Sequence, residues 1–178
     1  AVLAAVQRRD RCAIFHSVLS ITLPHGRYMV EMTPVPDARG ATRGVVAEGA
    51  VGLRAAGRLR LFRYEVRRWR DGVVPDVDYA VGSVCVTGDA DVAQAVFDLL
   101  PLVPTPVWGR DELRAGEMWT CNSVIAWALT SAGVDIDALP LPRRGRAPGW
   151  DAGIRVASRG PGRASVPTHP AGQAGTAA

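Results

Sequence analysis

Lysine is missing from this 178-residue chain, although it carries 21 basic side chains, every one of them arginine. Against 17 acidic residues this leaves a formal net charge of +4. Alanine, glycine, valine and arginine recur throughout. The arginine excess therefore reads as compositional bias rather than as the footprint of a nucleic-acid partner. Cysteine is scarce and odd in number: Cys12, Cys85 and Cys121. No C-x-x-C pair and no zinc-ligand spacing occurs, which argues against a disulfide framework, a metal centre or any cofactor site. A reducing compartment fits best, so a cytoplasmic location is the expectation. The opening Ala-Val-Leu-Ala-Ala-Val has no initiator Met and is too short for the apolar core of a signal peptide, which leaves a trimmed start and export open. No apolar run approaches the length of a membrane span. Histidine, too, is rare: His16, His25 and His169.

What is present suffices for one domain with a real core, since 48% of the residues are hydrophobic. We place that domain at residues 1–157. A Gly/Pro/Ala-rich tail over 158–178 reads as disordered. Residues 1–11 form a short, helix-compatible lead-in. Cys12–Thr22 is apolar and β-branched and predicts a buried strand. Leu23-Pro24-His25-Gly26 is a turn, and Arg27–Thr33 returns as a second strand. After a loop at 37–43, Gly44–Val51 predicts a short strand with a glycine bend. Arg58–Trp69 alternates arginine with apolar residues over its first half, the pattern of an antiparallel strand with one wet face and solvated arginines. It has no paired aromatic platform for bases. Asp71-Gly72 is a turn, and Tyr79–Thr87 predicts a further strand with Cys85 in the core.

Asp89–Val103 predicts a helix capped by Asp89 or Asp91, with Val92, Val96, Leu99 and Leu100 as its apolar stripe. Asp111 and Glu112, in the irregular stretch that follows, suit a cap or a surface ion pair better than acid–base work. Next comes Met118-Trp119-Thr120-Cys121-Asn122-Ser123-Val124-Ile125-Ala126-Trp127-Ala128-Leu129. Val124, Ala128 and Leu129 recur at helical spacing, Thr120 is an N-cap and Gly133 a stop. Cys121 thus falls in the first turn, where unpaired N–H groups and the helix dipole favour a thiolate. The plain alternative is an inert core cysteine. Trp150 is expected to pack back on the domain.

A cysteine nucleophile needs a base, and His16 is the candidate. It lies inside an apolar strand, where an unpaired ring is costly. With Pro24 and His25 at the turn centre, His16 falls opposite Thr33, and Glu31 is one diagonal away on the same face. That parity survives a two- or four-residue loop and fails for three. Glu31 would then orient the imidazole. The alternative is a buried His16 bonded to backbone, with Glu31 an exposed strand residue.

The run Phe-His16-Ser-Val-Leu-Ser-Ile, the turn, and Gly-Arg-Tyr-Met-Val-Glu31 resemble the histidine hairpin of NlpC-type cysteine peptidases. The cysteine helix follows this hairpin instead of preceding it. That order is similar to the circularly permuted members, which include the lecithin retinol acyltransferase-like proteins. The resemblance covers the hairpin and the cysteine helix, and neither motif is specific alone. It implies an α+β, papain-like fold: an antiparallel sheet with the cysteine-bearing helix packed on it. It also implies Cys121 as nucleophile, His16 as base and Glu31 as orienting residue. The chemistry would be hydrolase, amidase, thiol-protease or acyltransferase work on a peptide, isopeptide, cell-wall amide or ester, through a thioester. Trp119, Asn122 and Ser17 are weaker candidates for substrate contact. Two departures stand out. Glu31 occupies a place where many relatives have His or another polar residue, and Asn122-Ser123 follows the cysteine in place of the Glu-His of the retinol acyltransferase-like group. The other class of function is a catalytically inactive papain-like domain that binds a peptide or partner in the same groove.

Overall fold

The computed structural model describes residues 13–35, 44–73, 80, 82–139 and 145–160. The lead-in over 1–11, the loop at 37–43 and the tail from residue 161 on lie outside the described residues. The architecture is α+β. Four strands, β1 (Leu19–Leu23), β2 (Gly26–Pro34), β3 (Val45–Ala50) and β4 (Arg63–Arg70), make one antiparallel sheet in the order β1-β2-β4-β3. Among the described residues three helices accompany it: α1 (Ala90–Leu99), α2 (Cys121–Ser131) and α3 (Trp150–Ala157).

The β1–β2 hairpin closes around Pro24-His25, with Leu23 facing Gly26 and Leu19 facing Val30. Proline presets one turn dihedral and Gly26 supplies a φ of 142°. Ile21, Leu23, Val30 and Met32 alternate inward and are buried, the period-2 pattern of a half-covered sheet. Strand β1 is shorter than the sequence suggests. Residues 13–18 lie outside the ladder and touch it through no strand pairing; Ile14 instead makes an isolated parallel bridge to Arg146.

Strand β4 sits between β2 and β3 and contributes buried Tyr64, Glu65 and Val66. The predicted strand over Arg58–Trp69 is correct only in its second half. Residues Arg54–Arg58 and Arg60–Phe62 form 3-10 turns. The arginines of β4 also differ from the solvated picture. Arg67 donates to Glu65 Oε2 at 3.0 Å, and the Arg68 guanidinium carbon lies 3.6 Å from the centre of the Phe97 ring. No strand forms over the described part of 79–87, and Cys85 is exposed rather than core.

Helix α1 starts where Asp89 accepts from the Asp91 and Val92 N–H groups. Val96 and Leu100 are buried, and a 3-10 turn at Leu100–Leu102 ends it before Pro104. Its C-terminal half docks on the hairpin through Phe97, which meets Tyr28 edge-on at 4.8 Å and His25 at 5.7 Å. Helix α2 is buried around its whole circumference from Cys121 to Leu129. Helix α3 crosses it at Gly153, where an added Cβ would lie 2.3 Å from the Ser123 carbonyl oxygen and 2.8 Å from Ala126 Cβ. Trp150 is buried as expected. The hydrogen bonds run on to Gly160, and Arg159 donates to the Leu113 and Arg114 carbonyls, so Ser158–Gly160 belong to the folded unit rather than to a tail.

Candidate active site

Helix α2 begins with a complete capping box. The Thr120 hydroxyl accepts from the Asn122 N–H at 3.2 Å, and Ser123 Oγ accepts from the Thr120 N–H at 2.9 Å. The Ser123 and Val124 N–H groups go to the Thr120 carbonyl. Among the described residues the Cys121 N–H is thus the one first-turn amide without an acceptor. Cys121 is 8% exposed, and its sulfur makes a weak contact of 3.8 Å with Asn122 Oδ1.

His16 lies just ahead of β1. The β1–β2 ladder ends at Leu19–Val30, so His16 meets Glu31 through the side chains and not through strand pairing. His16 Nε2 stands 3.6 Å from Glu31 Oε1. The Cys121 side chain is the neighbour that acts most strongly on the imidazole. These contacts push its pKa up to about 10, the Cys121 hydrogen bond contributing most, the Glu31 bond next, and partial burial opposing both. Three residues separated by up to 105 positions therefore meet at one point. The His16 side chain is 44% exposed, so the group opens to solvent on the histidine side. A cavity of about 340 Å³, lined by Gly52, Arg54, Val107 and Glu112 among others, includes none of the three.

Because residues 13–18 are outside the sheet, something else must fix His16. That clasp is built from the loop ahead of α3 and from Asn122. The Phe15 N–H donates to the Arg146 carbonyl at 2.8 Å, and the Arg146 N–H to the Ala13 carbonyl at 2.9 Å. Asn122 Nδ2 donates to the Phe15 carbonyl at 3.1 Å and to the Pro148 carbonyl at 3.0 Å. Thr120 and Ser123 hydroxyls donate to Pro148 and Gly149 carbonyls at 2.6 and 2.7 Å. Glu117 receives Arg146 Nη2 at 3.3 Å and the Gly149 N–H at 2.9 Å. Gly149 has φ 83°, and a Cβ there would fall 2.6 Å from the Met118 carbonyl oxygen. Glycine is required on both counts.

The weaker site candidates fare differently. Asn122 is 1% exposed and both its amide hydrogens are engaged, so it is a strut between helix and strap rather than a substrate contact. Trp119 is 2% exposed, with an indole N–H that has no partner. It is packed inside, held through backbone bonds to Gly109 and Arg110. Ser17 is half-buried beside His16. Sequence reasoning missed Glu117, Gly149 and the clasp role of Asn122. One signal was visible: Asn122 is the only asparagine in the chain, set inside a helix where its amide serves no cap. Asp111 and Glu112 act as loop anchors. Asp111 accepts from the Ala115 and Gly116 N–H groups, and Glu112 pairs with Arg54 and the Val107 N–H, which holds its carboxyl below the usual range.

No helix among the described residues is long and apolar enough to cross a membrane. Comparison with protein-family models, with curated proteins and with solved structures finds no match to this chain.

Proposed function

We propose that this protein is a cysteine-dependent hydrolase or acyltransferase that acts on an amide or ester carbonyl through a thioester. The sheet and α2 would form a papain-like core in permuted order. One observation carries the reading: His16 is held between the Cys121 thiol and the Glu31 carboxylate. Glu31 faces Nε2, which leaves Nδ1 to receive the thiol proton. The Cys121 thiolate then attacks the carbonyl carbon. The free Cys121 N–H, at the positive end of the α2 dipole, donates to the oxygen that gains charge. Imidazolium His16 returns its proton to the leaving nitrogen or oxygen as the C–N or C–O bond breaks. A water, or an acceptor hydroxyl or amine, deprotonated by His16, attacks the thioester and releases the acyl group. Glu31 stabilises the imidazolium in both halves. Peptides, cell-wall amides and acyl esters all fit this chemistry.

The rival reading is a catalytically silent domain that binds a peptide or partner. The 8% exposure of Cys121 favours it, because a nucleophile needs access. A reporter ester such as p-nitrophenyl acetate discriminates. The enzyme reading expects nitrophenol release and an acetyl mass on the Cys121 peptide, both lost in Cys121→Ala. Full turnover by Cys121→Ala overturns it. Alkylation of Cys121 by iodoacetamide no faster than free cysteine at mildly acidic pH favours the silent domain.

A further inference from the structure

The connection from β3 to β4 carries the most exposed apolar surface among the described residues. Leu53, Leu59 and Leu61 are 61%, 63% and 78% exposed, and Phe62 is 42% exposed. Four large apolar side chains within ten positions, none buried, mark an interaction surface rather than scattered exposure. Arg58 and Arg60 are interleaved with them, and both are exposed with no ion-pair partner among the described residues.

The carbonyl edge of this protrusion is paired within the chain over five residues. Every carbonyl from residue 56 to residue 60 accepts a hydrogen bond. Ala56, Leu59 and Arg60 carbonyls receive N–H groups three residues on. Arg63 reaches back to the Gly57 carbonyl at 2.6 Å and the Arg58 carbonyl at 3.4 Å. At the base, the Val51 N–H donates to the Phe62 carbonyl at 2.8 Å. A loop whose carbonyls are mostly paired strands fewer polar groups as it leaves bulk water, which eases entry into a lipid interface, where headgroups and water can meet the remainder. Its apolar side chains would sit at the acyl boundary, with the guanidinium groups at headgroup depth.

We propose that the Leu53–Phe62 protrusion docks this protein peripherally on an anionic lipid bilayer. The proposal is independent of the acyl-transfer reading above. Charge decides between a bilayer and a second copy of the chain. A two-fold self-contact would press together two copies of a protrusion that carries Arg58 and Arg60 and no acidic residue, whereas anionic headgroups neutralise both arginines.

Co-sedimentation of the full chain with phosphatidylcholine vesicles, with and without phosphatidylglycerol, tests it. Binding is expected only with phosphatidylglycerol, and it weakens as salt rises. Leu61→Asp is expected to cut binding by about tenfold or more. The Arg58→Gln/Arg60→Gln pair is expected to cut it by about fivefold per arginine. Leu61 is too exposed for its replacement to unfold the domain, so an unchanged melting curve keeps that comparison valid. Failure to sediment with phosphatidylglycerol vesicles, equal binding to both vesicle types, or undiminished binding by Leu61→Asp overturns the proposal. So does a lipid-free dimer that Leu61→Asp dissolves, which would assign the surface to self-association.

Discussion

Removing the Asn122 amide tests whether the clasp, and not the sheet, holds His16. In Asn122→Ala the Phe15 carbonyl loses its donor at 3.1 Å, and the Pro148 carbonyl loses one at 3.0 Å while keeping the Thr120 hydroxyl. Each neutral hydrogen bond contributes about 1 kcal/mol net, so the pair predicts a loss of about 2 kcal/mol. Phe15 and Pro148 are only half-buried. Water can therefore reach the freed Phe15 carbonyl in part, and Pro148 keeps its bond from Thr120, which keeps the loss from growing further. In a domain of this size that corresponds to a fall in Tm of about 4–8 °C. Asn122→Asp should be worse despite its near-identical shape. It sets a carboxylate against two carbonyl oxygens at a site 1% exposed. Thermal melts followed by circular dichroism give the order wild type, then Ala, then Asp. The same variants, alkylated with iodoacetamide at mildly acidic pH, report whether His16 still faces the sulfur; the rate should drop toward that of a free thiol. Wild-type melting together with wild-type alkylation in Asn122→Ala would refute the clasp. An Asp variant as stable as the Ala variant would refute the charge argument.

The raised pKa of His16 gives a prediction with a definite sign. A group that rises from 6.5 to about 10 on folding adds stability that is fully present below pH 6.5 and disappears as pH climbs through 10. The gap in Tm between wild type and His16→Ala should therefore narrow across that window, and a gap that widens contradicts it. By proton NMR the His16 ring should titrate near pH 10. Cys121→Ala should lower that midpoint more than Glu31→Gln does, because the thiol is the larger cause. At the α2–α3 crossing, Gly153→Ala forces a methyl against the Ser123 carbonyl oxygen and the Trp127 N–H. Such overpacking costs about 2 kcal/mol and should lower the urea midpoint at constant slope. A raised midpoint, the ordinary outcome of Gly→Ala in a helix, would show that the helices have room.

The parts of the chain that could be read beforehand are those where local chemistry and burial agree. The hairpin register follows from Pro24-His25 and the alternation around Val30, but the pairing stops at Leu19, short of His16. Helix α2 announces itself through Thr120 and its apolar spacing. The reading failed where period and burial part company. Leu59 and Leu61 alternate with arginines as a strand would, but all of them face water, so the alternation marks no face. Helix α3 hides because Gly153, normally a helix weakener, is there to let α2 approach. The insertion of β4 between β2 and β3 is a non-local choice with no local signal. The clasp is likewise invisible, since it joins Asn122 to two backbone carbonyls whose identity no side chain encodes.

The strap bearing His16 is tied to residues 145–149, and this orders events during biosynthesis. Chain elongation delivers the helix with the sulfur while Phe15 still waits for Arg146, and Asn122 for Pro148. Until those residues leave the ribosome tunnel, thiol and imidazole have no reason to meet. Such distant closure is slow compared with helix formation. The nascent polypeptide thus carries Cys121 without its imidazole neighbour, and the two come together only as α3, the last helix among the described residues, locks into place.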